Sequence, residues 1–290
     1  MPNIREVVSR IQSITSTQQI TKAMKMVAAA KLNKVQHQLL HLRPYAAKLS
    51  HILANVTAAT HQQLATKYTQ QRPVEKLLLV VMSADKGLCG SFNANVFKKT
   101  LAHIQQWPDL SADQMDILVI GKKALNFFQK RPFTLLTDYI PLAHQLKFLP
   151  ASQAAEFMIK AFLDHTYDHI AFIYNHFISA ASQLVTIEQF LPISNNITSE
   201  QHQDTPYIYE PSKSELMEAL LPKALTIQFY KALLESHASE HGARMTTMSK
   251  ATDNAEDILK SLRVSYNRSR QASITNEILE IVAGAEALAH

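Results

Sequence analysis

The sequence predicts an α/β plus coiled-coil fold, in which a Rossmann-like α/β domain is inserted into a long antiparallel two-helix coiled coil. Near both ends of the chain, apolar and small residues recur at alternating steps of three and four, the pattern of a helical seam. Between these ends, short apolar runs alternate with helical stretches, as in a parallel-type sheet covered by helices. Only 5 of the 290 residues are glycine, which also favours helix.

The N-terminal segment, residues 1–60, is predicted to form the first long helix. Its seam weakens at Gln18 and Thr21, where polar residues replace apolar ones. Pro44 is expected to kink or re-register the helix, because its ring removes one backbone hydrogen bond. The first residues are amphipathic and basic but lack an apolar signal core, so we expect them to belong to the mature helix. The apolar seam positions are Ile4, Val7, Ile11, Ile14, Met24, Ala28, Leu32, Val35, Leu39, Leu42, Leu49, Leu53 and Val56.

The C-terminal segment, residues 210–290, is predicted to form the second long helix. It contains no proline after Pro222, which leaves open where the helix begins. A helix of this length is marginally stable without a partner, so we expect the two seams to bury each other as an antiparallel coiled coil. The alternative is that each helix packs on a separate globular core. The C-terminal seam is Leu216, Leu220, Ala224, Ile227, Leu234, Ala238, His241, Met245, Met248, Thr252, Ala255, Leu259, Leu262 and Tyr266.

The middle segment, residues 73–193, is predicted to form the α/β domain. Its first strand, at 75–82, is a continuous apolar run, as expected for a strand buried on both faces of a parallel sheet. The polar stretch 195–205 is predicted to be a loop. Further strands are predicted at 116–120, 133–140, 169–174 and 183–190, and helices at 92–106, 122–130 and 152–165.

The turn after the first strand is the one place that suggests a ligand site. It contains Lys86, Gly87, Cys89 and Gly90, so its glycines have the spacing G-x-x-G. A dinucleotide fold requires G-x-G-x-x-G and a phosphate loop requires G-x-x-x-x-G-K-[ST], so a tight structural turn is favoured over nucleotide binding. The apolar neighbour Leu88 favours a buried, inert Cys89 thiol over a reactive one.

Composition and spacing exclude several other classes of function. The single cysteine excludes an internal disulfide framework, and no apolar run reaches the 18 or so residues of a membrane span. The charge of +5 is spread along the chain, which favours solvated helix faces over a nucleic-acid patch and would also suit acidic partner surfaces. The pairs His37/His41 and His165/His169 have metal-ligand spacing but no completing ligands. We therefore predict no catalytic site, no metal and no cofactor.

Three long motifs in the chain are distinctive. The first is ITKAMKMVAAAK (20–31) with RPYA (43–46), and the second is SADKGLCGSFNANV (83–96). The third combines ASEHGARM (238–245), ATDN (251–254) and YNRSRQASITNEILEIVAGAEAL (266–288). These motifs resemble those of the γ subunit family of F-type ATP synthases, and the resemblance covers essentially the whole chain in the expected order.

The resemblance implies a non-catalytic central shaft of a rotary motor. In that family the coiled coil stands inside a ring of α and β subunits that hold the nucleotide sites, while the foot rests on the membrane c ring and the ε subunit. Proton flow turns the ring and the shaft, and the asymmetric shaft drives each β subunit through different states. The implied location is peripheral, on the cytoplasmic face of a bacterial cell (inner) membrane. The alternative is a stand-alone coiled-coil scaffold or nucleotide-binding protein that reuses the fold.

The resemblance also implies roles for individual residues. Arg270, Gln271 and Thr275 match positions that contact β near the top of the shaft, and Met24 matches the helix region that faces the lower β domains. Two tyrosines, Tyr207 and Tyr209, match the foot that meets the c ring and the ε subunit. The residues of the G-x-x-G turn match the α/β-domain turn and are expected to be structural.

Overall fold

A computed structural model of the chain describes residues 4–58, 67–144, 146–193, 210 and 212–289. The helices are α1 Ile4–Ala58, α2 Phe92–Ile104, α3 Lys122–Phe128, α4 Phe148–Leu163 and α5 Lys213–Ala289. The strands are β1 Leu77–Met82, β2 Met115–Ile120, β3 Thr134–Leu136, β4 His169–Phe177 and β5 Gln183–Leu191. Short 3₁₀ turns lie at Ala112–Gln114 and Ile140–Ala143. The predicted loop at 195–205 lies outside the described residues.

The five strands form one sheet in the order β3-β2-β1-β4-β5, the strand order of a Rossmann-like sheet. Strands β1 to β4 are parallel, as predicted, but β5 pairs antiparallel with β4, so the prediction of a parallel-type sheet is wrong for this edge strand. Only residues 178–182 separate β4 from β5. A parallel return needs a crossover of about a dozen residues or more, so this short connection permits only a hairpin.

Strand β1 is buried on both faces, which explains its uninterrupted apolar sequence. On one face, Leu78, Val80 and Met82 pack with α4 and with part of α5. On the opposite face, Leu77, Leu79 and Val81 pack with α2 and α3. The sheet therefore lies between two helical layers, and α5 contributes to one of them.

The chain divides into two compact units, of which the first comprises Met1–Ala28 and Met245–His290. Here the seam prediction is confirmed, because the least exposed positions of α1 are the predicted ones, with Val7 and Ala28 buried. The α5 partners Met248, Ala255 and Leu259 are buried in the same rhythm. Where polar residues replace apolar ones in the seam, the two helices contact each other through a 2.8 Å hydrogen bond between the hydroxyls of Thr21 and Thr252.

The second unit, Ala29–Arg244, contains the sheet and the remaining parts of α1 and α5. Leu49 of α1 packs with Met217 and Leu221 of α5. Both Pro44 and Pro222 lie inside their helices, so α5 begins well before the proline that left its start open.

Part of α5 in this second unit departs from the predicted one-sided seam. Every residue from 225 to 244 is buried or half-buried, and the run 238–244 is buried without interruption. The reason is that the sheet core covers a second side of the helix through Leu225, Phe229 and Leu233. Apolar residues at alternating steps of three and four are expected when a helix packs against one partner, whereas residues 225–244 of α5 pack against more than one element.

Candidate partner-contact surfaces

The first candidate surface is the end of α5 in the first unit, which runs past the start of α1. The Thr21–Thr252 bond fixes the antiparallel register. Seventeen residues before Thr21 lies Ile4, and seventeen residues after Thr252 lies Ser269, so these two residues stand opposite each other. Ser269 is 8% exposed and is the last buried residue of α5 among those whose side chains are described. Beyond it, the described part of α1 offers no partner.

Three of the predicted contact residues lie on this segment, which we call the free end of α5 (residues 270–285). Arg270, Gln271 and Thr275 are all exposed. Thr275 donates its hydroxyl to the Gln271 carbonyl at 2.9 Å, which leaves the Gln271 amide group at the surface. Within the described ranges Arg270 forms no ion pair, so its fork of donors is available to a partner.

The free end of α5 also carries apolar side chains. Ile274, Ile278, Leu279, Ile281 and Val282 are all about half exposed or more. Contiguous exposed apolar area of this kind marks an interaction surface or an aggregation risk.

Met24 lies elsewhere, on α1 within the coil. Its neighbour Lys25 donates from Nζ to the Ser249 hydroxyl at 2.9 Å, so Met24 lies near the 249 level of α5, about six helical turns from Arg270. Met24 is half-buried. The structure therefore brings Arg270, Gln271 and Thr275 together and leaves Met24 apart, while Tyr207 and Tyr209 lie outside the described residues.

The turn after β1 is held by its own backbone and by its neighbours. Asn93 accepts the Ala84 amide N–H on its side-chain oxygen at 3.0 Å, and the Phe92 N–H donates to the Cys89 carbonyl at 3.3 Å. Gly90 has a φ of 60°, which only glycine adopts without strain. Leu88 also has a positive φ, 62°.

The Cys89 thiol is buried, as predicted, but the reason given for it is wrong. Leu88 points outward and is 62% exposed. Cys89, at 1% exposure, is instead covered by Ala84, Phe92 and Ala243 of α5. This burial raises the pKa of the thiol, although the nearby Arg244 guanidinium opposes the rise.

Sequence reasoning missed the group that holds this turn against α5, which we call the Arg244 latch. Arg244 donates from Nη1 to Glu240 at 2.6 Å and contacts His241 Nδ1 at 3.2 Å. From Nη2 it donates to the carbonyls of Lys86 at 3.2 Å and Gly87 at 3.3 Å. The four-residue spacing of Glu240 and Arg244 is a helical ion-pair signal, but the same spacing is common on solvated helix faces.

Burial sets the protonation of the groups around the latch. It lowers the pKa of His241 to about 3 and that of His237 to about 4, with added repulsion from Lys31 and Arg244. The two imidazoles lie edge to face with 4.5 Å between ring centres. Burial also raises the pKa of the Glu240 carboxyl, against the pull of Arg244. Both histidines are therefore neutral near pH 7.

The geometry of the turn does not suit a phosphate. A phosphate loop presents free backbone N–H groups to its ligand, whereas the 86–90 turn directs two carbonyls at a guanidinium. Within the described ranges the structure adds no third ligand to either histidine pair: His37 and His41 lie exposed on α1, and His165 contacts the Arg72 guanidinium. Among the described residues, no three His, Cys, Asp or Glu side chains come together as metal ligands.

The sequence of the chain is similar to those of known proteins over nearly its whole length. The family model described as ATP synthase matches residues 3–288. The chain is 64% identical to an ATP synthase gamma chain of Amoebophilus asiaticus and 48% identical to one of Cytophaga hutchinsonii, with 99% of each chain covered.

Solved structures show the same fold. A chain of the Euglena gracilis mitochondrial ATP synthase, OSCP/F1/c-ring, matches with a TM-score of 0.64 and 22% identity, over 98% of this chain and 94% of that one. A chain of the Tetrahymena thermophila mitochondrial ATP synthase central stalk/c-ring matches with a TM-score of 0.56 and 24% identity, over 80% of this chain and 99% of that one. The family model and the full-length relatives together show that the chain belongs to the ATP synthase gamma-chain family.

Proposed function

We propose that this chain is the central rotor of a bacterial F-type ATP synthase, which couples proton flow through the membrane c ring to ATP synthesis in the α/β ring. Its partners in this proposal are the α and β subunits, the ε subunit and the c ring. It works peripherally, on the cytoplasmic face of the cell inner membrane. The three segments 1–60, 73–193 and 210–290 then serve as first shaft helix, α/β domain and second shaft helix.

The observation that carries this proposal is the free end of α5. A long helix that continues beyond the described part of its partner helix, exposing isoleucines, needs a surrounding surface to cover it. A ring of subunits is such a surface. The apolar side chains make few directional bonds, so a shaft seated there can turn without breaking many hydrogen bonds.

Individual residues have distinct roles in this proposal. Arg270 and Gln271 contact β through their exposed polar groups, and Thr275 contacts it one turn further on. Met24 meets the lower β domains. Tyr207 and Tyr209 belong to the foot that meets the c ring and ε.

We further propose that the chain supplies no catalytic group of its own. The turn most similar to a nucleotide site uses its carbonyls internally, which supports this view. Within the described ranges, none of the helices combines the length and the apolar character that a membrane span requires.

Co-expression with the α, β and ε subunits tests the proposal. The chain should co-purify with them in a stable complex that hydrolyses ATP, whereas the chain alone should give no calorimetric signal with ATP at micromolar concentrations. A chain that stays apart from α and β, or that binds ATP stoichiometrically by itself, contradicts the proposal and favours the scaffold or nucleotide-binding alternative.

A further inference from the structure

In the Arg244 latch, every hydrogen on the two terminal nitrogens of the guanidinium, Nη1 and Nη2, has an acceptor. Each terminal nitrogen carries two hydrogens. The two on Nη1 have the Glu240 carboxylate and His241 Nδ1 as acceptors, and the two on Nη2 have the carbonyls of Lys86 and Gly87. Arg244 is 8% exposed, so water does not compete freely for these bonds. A lysine has three donors on one point and cannot span the same four acceptors.

The arrangement also assigns the proton on His241. Arginine only donates, so the 3.2 Å contact requires His241 Nδ1 to be an unprotonated acceptor. The proton of the neutral ring therefore lies on Nε2. The lowered pKa of His241 keeps the ring neutral at physiological pH.

The same turn and a half of α5 is tied to the α/β domain at two further points. Ser239 donates its hydroxyl to the Asn175 carbonyl of β4 at 2.9 Å. At Gly242, a Cβ would lie 3.1 Å from Ala180 Cα in the β4–β5 hairpin, so a side chain there would push the hairpin away. Ala243 also packs against Cys89 of the turn. Among these contacts between residues 239–244 and the domain, Arg244 is the one that donates hydrogen bonds to the carbonyls of the 86–90 turn.

We propose that Arg244 is a positioning residue that fastens the 86–90 turn to α5, so that the α/β domain and residues 239–244 of α5 rotate together, and that His241 orients Arg244 by accepting its hydrogen bond. This inference rests on the proposed rotor function for its mechanical meaning. The fastening itself is a property of the chain alone. Glu240 supplies the counter-charge, while Lys31 of α1 and Asp85 of the turn are the other charged groups that act on this cluster.

Two pairs of variants test the fastening in the full-length chain. Arg244→Lys keeps the charge and removes the fork, with the exposed Arg263→Lys on the same helix as its control. His241→Asn keeps an acceptor bonded to Cγ, in the place of Nδ1, whereas His241→Gln moves the polar atoms one bond further out. The measurement is amide hydrogen exchange of residues 84–92, compared with that of the β2 strand as an internal reference.

We expect exchange in the turn to accelerate by about ten- to a hundredfold in Arg244→Lys, since hydrogen bonds to a charged group are lost, with β2 unchanged. His241→Gln should accelerate it less, and His241→Asn and Arg263→Lys should leave it near wild type. Unchanged exchange in Arg244→Lys, or equal effects of Asn and Gln at 241, overturns the assignment. If Arg244→Lys does not fold, the 241 pair decides the question alone.

The rotational claim is tested in the reconstituted membrane complex. Arg244→Lys should lower ATP-driven proton pumping per ATP hydrolysed, because torque leaks through a loosened joint, whereas a purely local stabilising role would leave that ratio unchanged. A loosened turn with an unchanged ratio therefore refutes the joint. Failure of the wild-type chain to assemble would refute the rotor proposal instead, and would leave the exchange result standing.

Discussion

The antiparallel register of the first unit can be tested by a disulfide at Thr21 and Thr252. Their hydroxyl oxygens lie 2.8 Å apart, so cysteine sulfurs at the same positions need only a small adjustment to bond. We expect the double variant Thr21→Cys, Thr252→Cys to form this bond under mild oxidation. The native Cys89 remains, but burial raises its pKa and makes it slow to react.

The bond would close a loop of 231 residues, so its effect on stability should be large. The chain-entropy relation gives about 5 kcal/mol for a loop of this length, and engineered disulfides usually deliver less, so about 2–4 kcal/mol is expected. Oxidised and reduced samples of the same variant should be compared by thermal unfolding. This comparison cancels the loss of the threonine hydrogen bond, which is worth about 0.5–1.5 kcal/mol.

The matched control is Lys22→Cys with Thr252→Cys. Lys22 is the next residue on α1 and is exposed, because one residue turns a helix by about 100°. It should cross-link poorly and give no stabilisation. If the Lys22 pair bonds as readily as the Thr21 pair, or if only pairs shifted by a full turn bond, the Thr21–Thr252 register is wrong, and with it the alignment of Ile4 with Ser269.

Three further predictions concern the free end of α5 and the buried histidines. Arg270→Ala and Gln271→Ala should each lower steady-state ATP turnover of the assembled complex by about tenfold or more, if the whole of a charged contact is made in one rotary state only. The exposed control Lys260→Ala should change the turnover little. Wild-type turnover in both variants would remove Arg270 and Gln271 from the mechanism. Deleting the residues after Ser273 should leave the free energy of unfolding of the free chain within about 0.5 kcal/mol of wild type. It should impair assembly of the complex more than deletion after Gly284 does. Equal loss of assembly from both truncations would count against the role given to the apolar end. His237 and His241 have folded pKa values below their unfolded value, so their contribution to stability is complete above about pH 6.5 and falls as the pH drops towards 4. The free energy of unfolding should fall by up to about 1.4 kcal/mol per pH unit for each histidine. Denaturant midpoints that stay constant over that range would contradict the burial of both rings in neutral form.

Most of the architecture is predictable because its signals are local. The three-four repeat of α1 and the unbroken apolar run of β1 report burial directly along the chain. The errors lie at boundaries: α4 begins at Phe148, before Pro150, because a proline is tolerated in the first turn of a helix. Strand β3 stops at Leu136 because the following residues lead into the 3₁₀ turn that contains Pro141.

The direction of β5 and the composition of the Arg244 latch are not predictable in the same way. Strand direction depends on which neighbour a strand chooses, although the five residues between β4 and β5 are a usable signal for a hairpin. The latch joins atoms 157 and 158 residues apart in the chain, and its acceptors are backbone carbonyls that carry no side-chain signature. In the sequence, no pattern distinguishes Arg244 from the other basic residues of the long C-terminal helix.

Helix α5 shows why one periodic sequence pattern can hide different environments. From 225 to 244 its residues are buried or half-buried on all sides, and the polar side chains of Ser239 and Arg244 have internal partners there. Between 245 and 269 burial follows a single stripe, and polar side chains off the stripe are solvated. From 270 onward none of the described side chains is buried, although isoleucine and leucine continue to recur. Exposed isoleucines at a helix end, where the described part of the chain supplies no cover, therefore mark the part of α5 that we propose is covered by other subunits.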